Sequence, residues 1–506
     1  MPRPDTAIFR NKLLKDLREK TIRGTGARVS AQLANLGLRV GVLAILARLL
    51  NPSDFGFVGM VAAITGILNL FRDFGLSAAS VQHLELTDEQ SSALFWINMA
   101  VGMLLAGITA ASAHIIADFY HEPRLYGVTL AMATTFIFNS AGNQHSAHLQ
   151  RELRFTTLSA IDTASLVLGA VLAIGGAVAG WGYWALVVMA VATPLSSAIA
   201  LWIITGWIPH LPKLRAGIGS MIRFGSTLTI NGIVVYVASN FEKVLLGRYW
   251  GADAIGIYGR AYQLIRIPTD TLTGAVGEVA FSALSRLQND PHRLRSYFLK
   301  GYSLVLAITL PATIACAVLA PDLIGLLLGP KWKEVAPIFR YLTPTILVFA
   351  IANPVSWLVM SIGWVMRGLK MSLVIAPLMI AGYFVGLPYG PKGVALAYST
   401  VMLLWLIPVI LWSVHAAPVS FKDVVTTASH PLIASLVAGG AALAACSAYG
   451  RYENHFGRLI VGGLTLIATY YFTILYVMGQ KHYYADLLQK FARRSLAEEN
   501  VLVSAQ

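Results

Sequence analysis

Charged side chains set inside long apolar runs are where this sequence has the means to do chemistry. Arg39, Arg48, Arg72, Lys243, Arg248, Arg260, Arg266 and Arg340 each interrupt a stretch otherwise made of aliphatic and aromatic residues. Asp73, Asp162, Glu242, Asp270 and Glu278 do the same with the opposite sign. An ionised group at the centre of a bilayer costs about 2.5–3.5 kcal/mol on insertion scales, so such residues face a bundle interior or a wet cavity. Bases outnumber acids, and a net positive interior suits an anionic ligand. Arginine in particular grips phosphate through its planar, two-pronged fork. Arg39, Arg72, Arg260 and Arg266 lie deepest and are the primary candidates for substrate contact. Arg48 and Arg248 belong to the same set but lie nearer span ends, where snorkelling explains a cation equally well. Asp73, Glu242, Asp270 and Glu278 are candidates for proton or sodium coupling, with internal ion pairing as the plainer explanation of any one of them. Gln32, Asn35, Asn240 and Gln263 are candidates for a polar cavity lining, although hydrogen bonds between helices use the same residue types. Gln32, Asn35 and Arg39 recur at i, i+3 and i+7, one polar stripe on an apolar helix.

These residues need a frame that holds them in lipid. The chain has 506 residues, 56% hydrophobic and 12% charged, with mean hydropathy +0.66. Soluble domains carry about twice that charge. The apolar runs are continuous and do not alternate, so the spans are helices and not barrel strands. We expect an all-α polytopic fold with about fourteen transmembrane helices, near 27–50, 55–77, 91–116, 125–143, 157–179, 183–205, 224–250, 255–285, 299–320, 335–360, 370–387, 392–413, 430–449 and 458–478. Pro377, Pro388 and Pro391 make the eleventh and twelfth the least regular. The expected organisation is a basic arm (1–26), a first lobe (27–205), a linker (206–223), a second lobe (224–413), two further spans (430–478) and a tail (479–506).

The net charge of +14 has a topological reading. With the N-terminus inside, Lys and Arg favour the cytoplasmic loops by about four to one, as the positive-inside rule requires. Both termini are then cytoplasmic, and no nucleic-acid partner is needed to explain the charge. The basic segment 5–23 has the pattern of a helix lying on an anionic leaflet, or of a simple topogenic tail. No cleavable leader is expected. Cys316 and Cys446 are far apart in apolar runs, which excludes a metal spacing or redox pair. There is no P-loop, no His-Glu-x-x-His and no nucleophile elbow, and every loop is short. His145 and His148 fall beyond the fourth span and are expected in a solvated loop. Nothing calls for a cofactor, and an enzyme is not expected.

The sequence repeats itself. Residues 47–59 align with 247–259 without a gap, matching Arg48 with Arg248, Gly56 with Gly256 and Gly59 with Gly259. Both segments join two long spans through a tight outer turn. Spans 1–2 therefore correspond to spans 7–8, and six spans plus six in the same orientation make a parallel repeat of the kind transporters use, with the site expected between the halves near the midplane; a chance likeness of glycine-rich helix starts is the alternative.

Leu50-Asn51-Pro52-Ser53-Asp54-Phe55-Gly56, with Phe71-Arg72-Asp73-Phe74-Gly75-Leu76-Ser77-Ala78-Ala79, resembles the opening signature of bacterial Wzx-type polysaccharide flippases. Ile255-Gly256-Ile257-Tyr258-Gly259-Arg260-Ala261-Tyr262, with Phe281-Ser282-Ala283-Leu284-Ser285-Arg286-Leu287-Gln288, is similar to its span 8 counterpart, with Ser282 in place of the usual proline. The resemblance covers about residues 25–480. It implies the V-shaped bundle of the multidrug/oligosaccharidyl-lipid/polysaccharide exporter superfamily, with alternating access in the bacterial inner membrane. It implies an undecaprenyl-pyrophosphate-linked oligosaccharide as substrate, membrane lipid around the protein, and a polysaccharide polymerase or export machinery as a further partner. Cavity arginines from spans 1, 2 and 8 map by depth onto Arg39, Arg72, Arg260 and Arg266. A peptidoglycan-precursor flippase and a cation-coupled multidrug exporter of the same superfamily are the alternatives. The basic interior disfavours the second.

Overall fold

The computed structural model describes residues 36–72, 87–211, 219–450 and 454–481. Within them the side chains of 219–235, 267–276, 278–279, 282 and 365 are not described. Gln32, Asn35 and Asp73, and the side chains of Asp270 and Glu278, therefore lie outside what the structure describes, as do the basic arm and most of the tail.

The described chain is helical. Helix α1 covers 36–49. It is followed by α2 (Pro52–Phe71), α3 (Asp88–Ala111), the short α4 (Ala113–Tyr120), α5 (Arg124–Arg151), α6 (Phe155–Val178) and α7 (Tyr183–Thr205). Gly219–Ser285 is helical on both sides of a single break at Gly251, giving α8 (219–250) and α9 (252–285). Then come α10 (Pro291–Val318), the short α11 (Ala320–Leu327), α12 (Val335–Ser361), α13 (Val365–Gly386), α14 (Gly390–Val414), α15 (Phe421–Tyr449) and α16 (His455–Phe472), the last ending in a π turn. Among the described residues, nine helical runs are long and apolar enough to cross a bilayer, one of them joining α13 and α14. The chain is a polytopic helical membrane protein.

Local chemistry sets the helix ends. The Asn51 N–H donates to the Asp54 carboxylate (2.9 Å), and Pro52 fills the first helical position, where no N–H is needed. Thr87 with Gln90 and Ser420 with Asp423 start α3 and α15 through reciprocal capping bonds of 3.0–3.2 Å. Gly251, at φ 77° and ψ −170°, occupies a region open to glycine and strained for other residues. Helix α13 continues through Pro377, while Pro388 sits in a 3-10 turn and Pro391 in the first turn of α14.

The chain forms two compact units, Met1–Gly259 and Arg260–Gln506. In the first, α3 packs on α5, α5 on α7 and α7 on α6. In the second, α12 packs on α10 and α14, α14 on α13, and α15 on α10 and α16. Leu294, Phe298, Tyr302, Leu306 and Leu310 recur every fourth residue along α10, all buried against Ile351, Val355 and Leu358 of α12 and Val424 of α15. Ala434, Ala438 and Ala442 recur at the same interval on α15 and admit Leu466, Tyr470 and Ile474. Lipid tails are as apolar as leucine, so close packing and not water exclusion holds such pairs together. The outward faces are apolar as well: Ile203 is 75% and Leu404 72% exposed, positions that face acyl chains.

One expectation is corrected. His145 and His148 do not sit in a solvated loop. Helix α5 runs on to Arg151, and His145 is fully buried. Its Nδ1 lies 2.7 Å from the Thr205 hydroxyl, and its ring packs on Trp202 (4.6 Å) and Trp207 (5.3 Å). Polar residues extend the helix here because neighbouring helices and the segment after α7 enclose them. The same segment is tied down by His210, whose carbonyl accepts from the Trp96 indole (2.8 Å) and whose N–H donates to Ser92 (3.0 Å).

Candidate functional site

The candidate residues divide between the two units. In the first, Arg39 stands exposed on α1 and interacts electrostatically with Asp162 of α6. The two residues lie more than a hundred positions apart in the sequence.

Helix α8 carries a polar face. Tyr236, Asn240 and Lys243 are spaced i, i+4 and i+7, within one side of the helix. The Asn240 amide donates to the Tyr236 carbonyl (3.0 Å), and the Lys243 ammonium donates to Asn240 Oδ1 (2.7 Å). Glu242 points elsewhere, as its adjacency to Lys243 requires, and is 1% exposed. Tyr236 was not singled out from the sequence. Its hydroxyl donates to the Ala62 carbonyl (3.2 Å) and fills the space beside Gly66, where a Cβ would come within 1.6 Å of that oxygen. Only the absence of a side chain at residue 66 lets α8 approach α2 so closely.

Arg248 ends α8 with its guanidinium over Phe119 (5.8 Å) and Tyr249 (6.0 Å), a cation–π seat at the helix end. Arg48, its partner in the repeat, is exposed at the end of α1, and Arg72 is half-buried just past α2. Arg340, in the second unit, reaches back to the carbonyls of Ala317 (3.3 Å) and Val318 (3.5 Å), the free acceptors at the end of α10.

The repeat has a geometric counterpart within the first unit. A Cβ built on Gly56 would stand 1.9 Å from the Ala252 carbonyl oxygen. A Cβ built on Gly256 would stand 1.9 Å from the Pro52 carbonyl oxygen. The two glycines and the two carbonyl residues are related by the same offset as the sequence repeat, so the start of α2 and the start of α9 meet reciprocally. The sequence marked both glycines as repeat matches. It carried no signal that each packs on the other segment's backbone.

In the second unit, Arg260, Gln263 and Arg266 share about one third of the circumference of α9. Ala261, Tyr262, Leu264 and Ile265 fill the opposite side and are buried. Gln263 and Arg266 are exposed, Arg260 half-buried, and the Arg266 guanidinium lies 5.9 Å from the Tyr262 ring centre. Tyr262 packs on Tyr398 of α14 (6.4 Å), which packs on Tyr383 of α13 (5.7 Å). An aromatic column thus backs the polar face and fixes its rotation. Away from it, the buried Asp322 of α11 accepts from His455 Nδ1 (2.9 Å) and lies 3.5 Å from Arg458 Nε, tying α16 to the bundle. Among the described residues no group of three His, Cys, Asp or Glu side chains has the geometry to hold a metal.

This arrangement can hold an anion in a polar strip and has aliphatic surface for lipid around it. Comparisons with known proteins place the chain among relatives. A family model described as polysaccharide biosynthesis protein matches residues 45–337. Lipopolysaccharide biosynthesis protein WzxC of Escherichia coli K12 is 26% identical over 399 residues, covering 77% of this chain and 80% of that one. Succinoglycan biosynthesis transport protein ExoT of Rhizobium meliloti 1021 is 24% identical over 326 residues, covering 64% of this chain and 66% of that one. Among solved structures, the lipid II flippase MurJ in an inward closed conformation superposes with a TM-score of 0.71, covering 92% of this chain and all of that one at 16% identity, which establishes a shared fold.

Proposed function

This chain belongs to the polysaccharide biosynthesis protein family, and from that premise we propose that it flips an undecaprenyl-pyrophosphate-linked oligosaccharide from the cytoplasmic to the periplasmic leaflet of the bacterial inner membrane. The observation that carries the reading is the cationic face of α9, where Arg260, Gln263 and Arg266 stand together opposite the buried Ala261, Tyr262, Leu264 and Ile265. Arginine forks match a pyrophosphate, and the glutamine amide matches a sugar hydroxyl. Arg39 and Arg72 supply further cations, and Arg48 and Arg248 serve nearer the helix ends. Alternating access moves the headgroup and no covalent bond changes, so the protein acts as a transporter and not as an enzyme. Glu242, buried on α8, is the coupling candidate we favour for a proton or sodium ion. Both termini lie in the cytoplasm, following the distribution of Lys and Arg, and the product passes to a polymerase or export machinery.

The test is the sidedness of the lipid-linked oligosaccharide in a strain lacking this chain, complemented by wild type or by Arg39→Ala, Arg72→Ala or Arg266→Ala. Accumulation in the cytoplasmic leaflet, relieved by wild type and not by the arginine variants at equal expression, supports the reading. Normal sidedness without the chain, in a strain with no second flippase, removes the function. Full rescue by every variant keeps the transporter and removes these arginines from its site.

A further inference from the structure

At one end of the second unit a cavity of about 500 Å³ opens between the first turns of α10 and α15, with Gln480 at its edge. His292, Arg295 and Lys300 line it from α10, and Thr426, Thr427 and His430 from α15. Among the described residues, those that line it include no carboxylate. Arg295 is fixed in place by Asp423, which takes two of its N–H groups (2.9 and 2.7 Å) and braces the two helices. A guanidinium has five N–H donors, so three are left for another acceptor. Lys300 makes no ion pair among the described residues. His430 Nδ1 donates to the Thr426 carbonyl (3.0 Å), which fixes the ring and leaves Nε2 available.

The surroundings are those of an amphiphile. His430 begins a face of α15 that continues through Ile433 and Val437, both 50% exposed, at i+3 and i+7. Cations, hydroxyls and an imidazole thus lie at the helix ends, and lipid-facing aliphatic residues follow directly along the helix. The basic residues of this end place it at the cytoplasmic surface by the positive-inside rule, where anionic headgroups concentrate. The volume exceeds that of a bare phosphate and lies in the range of small-ligand pockets.

We propose that this cavity binds the phosphate-bearing headgroup of an amphiphile in the cytoplasmic leaflet, with the tail along α15. The site is separate from the arginine face of α9, and it holds whether or not the transport reading does. Two sources share that chemistry: an anionic phospholipid of the bilayer, and a polyprenyl phosphate carrier.

Native mass spectrometry of the purified full-length chain distinguishes them. Phosphatidylglycerol, phosphatidylcholine, undecaprenyl phosphate and glycerol phosphate are titrated separately onto wild type, Lys300→Gln, His430→Ala, Thr427→Val and Arg286→Gln. We expect anionic amphiphiles to be retained over phosphatidylcholine, with binding about fivefold weaker for Lys300→Gln, weaker again for His430→Ala, and unchanged for Arg286→Gln, which lies outside the cavity. Tighter retention of undecaprenyl phosphate than of phosphatidylglycerol identifies the carrier, and the reverse identifies the bilayer lipid. Retention by Lys300→Gln and His430→Ala equal to wild type overturns the proposal. Binding of glycerol phosphate as tight as that of phosphatidylglycerol overturns the amphiphile. Thr427→Val keeps the cavity cations and serves if the other variants fail to fold, and undiminished binding by it then counts against the site.

Discussion

The side chains of this protein that bear charge inside the membrane do so in three different ways. Arg340 and Arg248 are consumed at helix ends, one by carbonyls and the other by aromatic faces. Arg39 lies within electrostatic reach of Asp162, and Lys243 is tied to Asn240. Arg266 stands exposed on the polar face of α9. This ordering predicts different outcomes for changes that look alike in sequence. Arg266→Ala is expected to lower flipping in reconstituted vesicles by more than about tenfold, and Arg266→Lys to recover part of it, because a lysine keeps the charge but loses the planar fork. Lys243→Met is expected to act mainly on stability, costing about 1–3 kcal/mol by leaving the half-buried Asn240 amide without its donor, read as a lower Tm in detergent with flipping per folded molecule nearly unchanged. Glu242→Gln is expected to leave expression intact and to abolish the response of flipping to an imposed proton or sodium gradient. A gradient response equal to wild type would remove Glu242 from coupling.

Among the helices, close approach is set by what is missing at a few positions. Gly56 and Gly256 each face a carbonyl that cannot move independently of its backbone. Gly56→Ala and Gly256→Ala are therefore both expected to destabilise the protein by about 1–3 kcal/mol, seen as lower thermal midpoints of similar size. Gly259 matches Gly59 in the repeat, yet a Cβ there meets nothing within 4 Å, whereas one on Gly59 meets the Ile255 side chain at 2.8 Å. Gly259→Ala is thus expected to fall within about 0.5 kcal/mol of wild type. An equal effect at all four glycines would show that helix flexibility and not packing decides. Sequence identity across the repeat marks the same topological point, but it does not guarantee the same neighbour.

For the whole molecule, topology is the quantity to measure first. In a background with Cys316 and Cys446 replaced by alanine, Asp253→Cys lies just after the Gly251 break between α8 and α9, and Glu152→Cys lies just past the end of α5. A membrane-impermeant maleimide is expected to label the first in intact cells and the second only after permeabilisation. The reverse pattern would invert the orientation, and with it the direction of the proposed flipping and the leaflet assigned to the cavity of α10 and α15.

The helical class was legible in the sequence because lipid imposes it locally. Every backbone polar group must be satisfied within its own segment, so a run of apolar residues is already a helix. The sixth span, read as 183–205, is the helix Tyr183–Thr205. Where polar residues carry on a helix, that rule falls silent: the sequence points to a loop at His145, whereas α5 carries it against Thr205 and Trp202 of α7. The pairing of the embedded charges was also out of reach. Arg39 with Asp162, Gly66 with the Tyr236 hydroxyl and Asp322 with His455 join residues about 120 to 170 positions apart. Hydropathy and periodicity describe one helix at a time. Which face meets which neighbour is decided by side-chain shape across the bundle, and only the tertiary structure contains that.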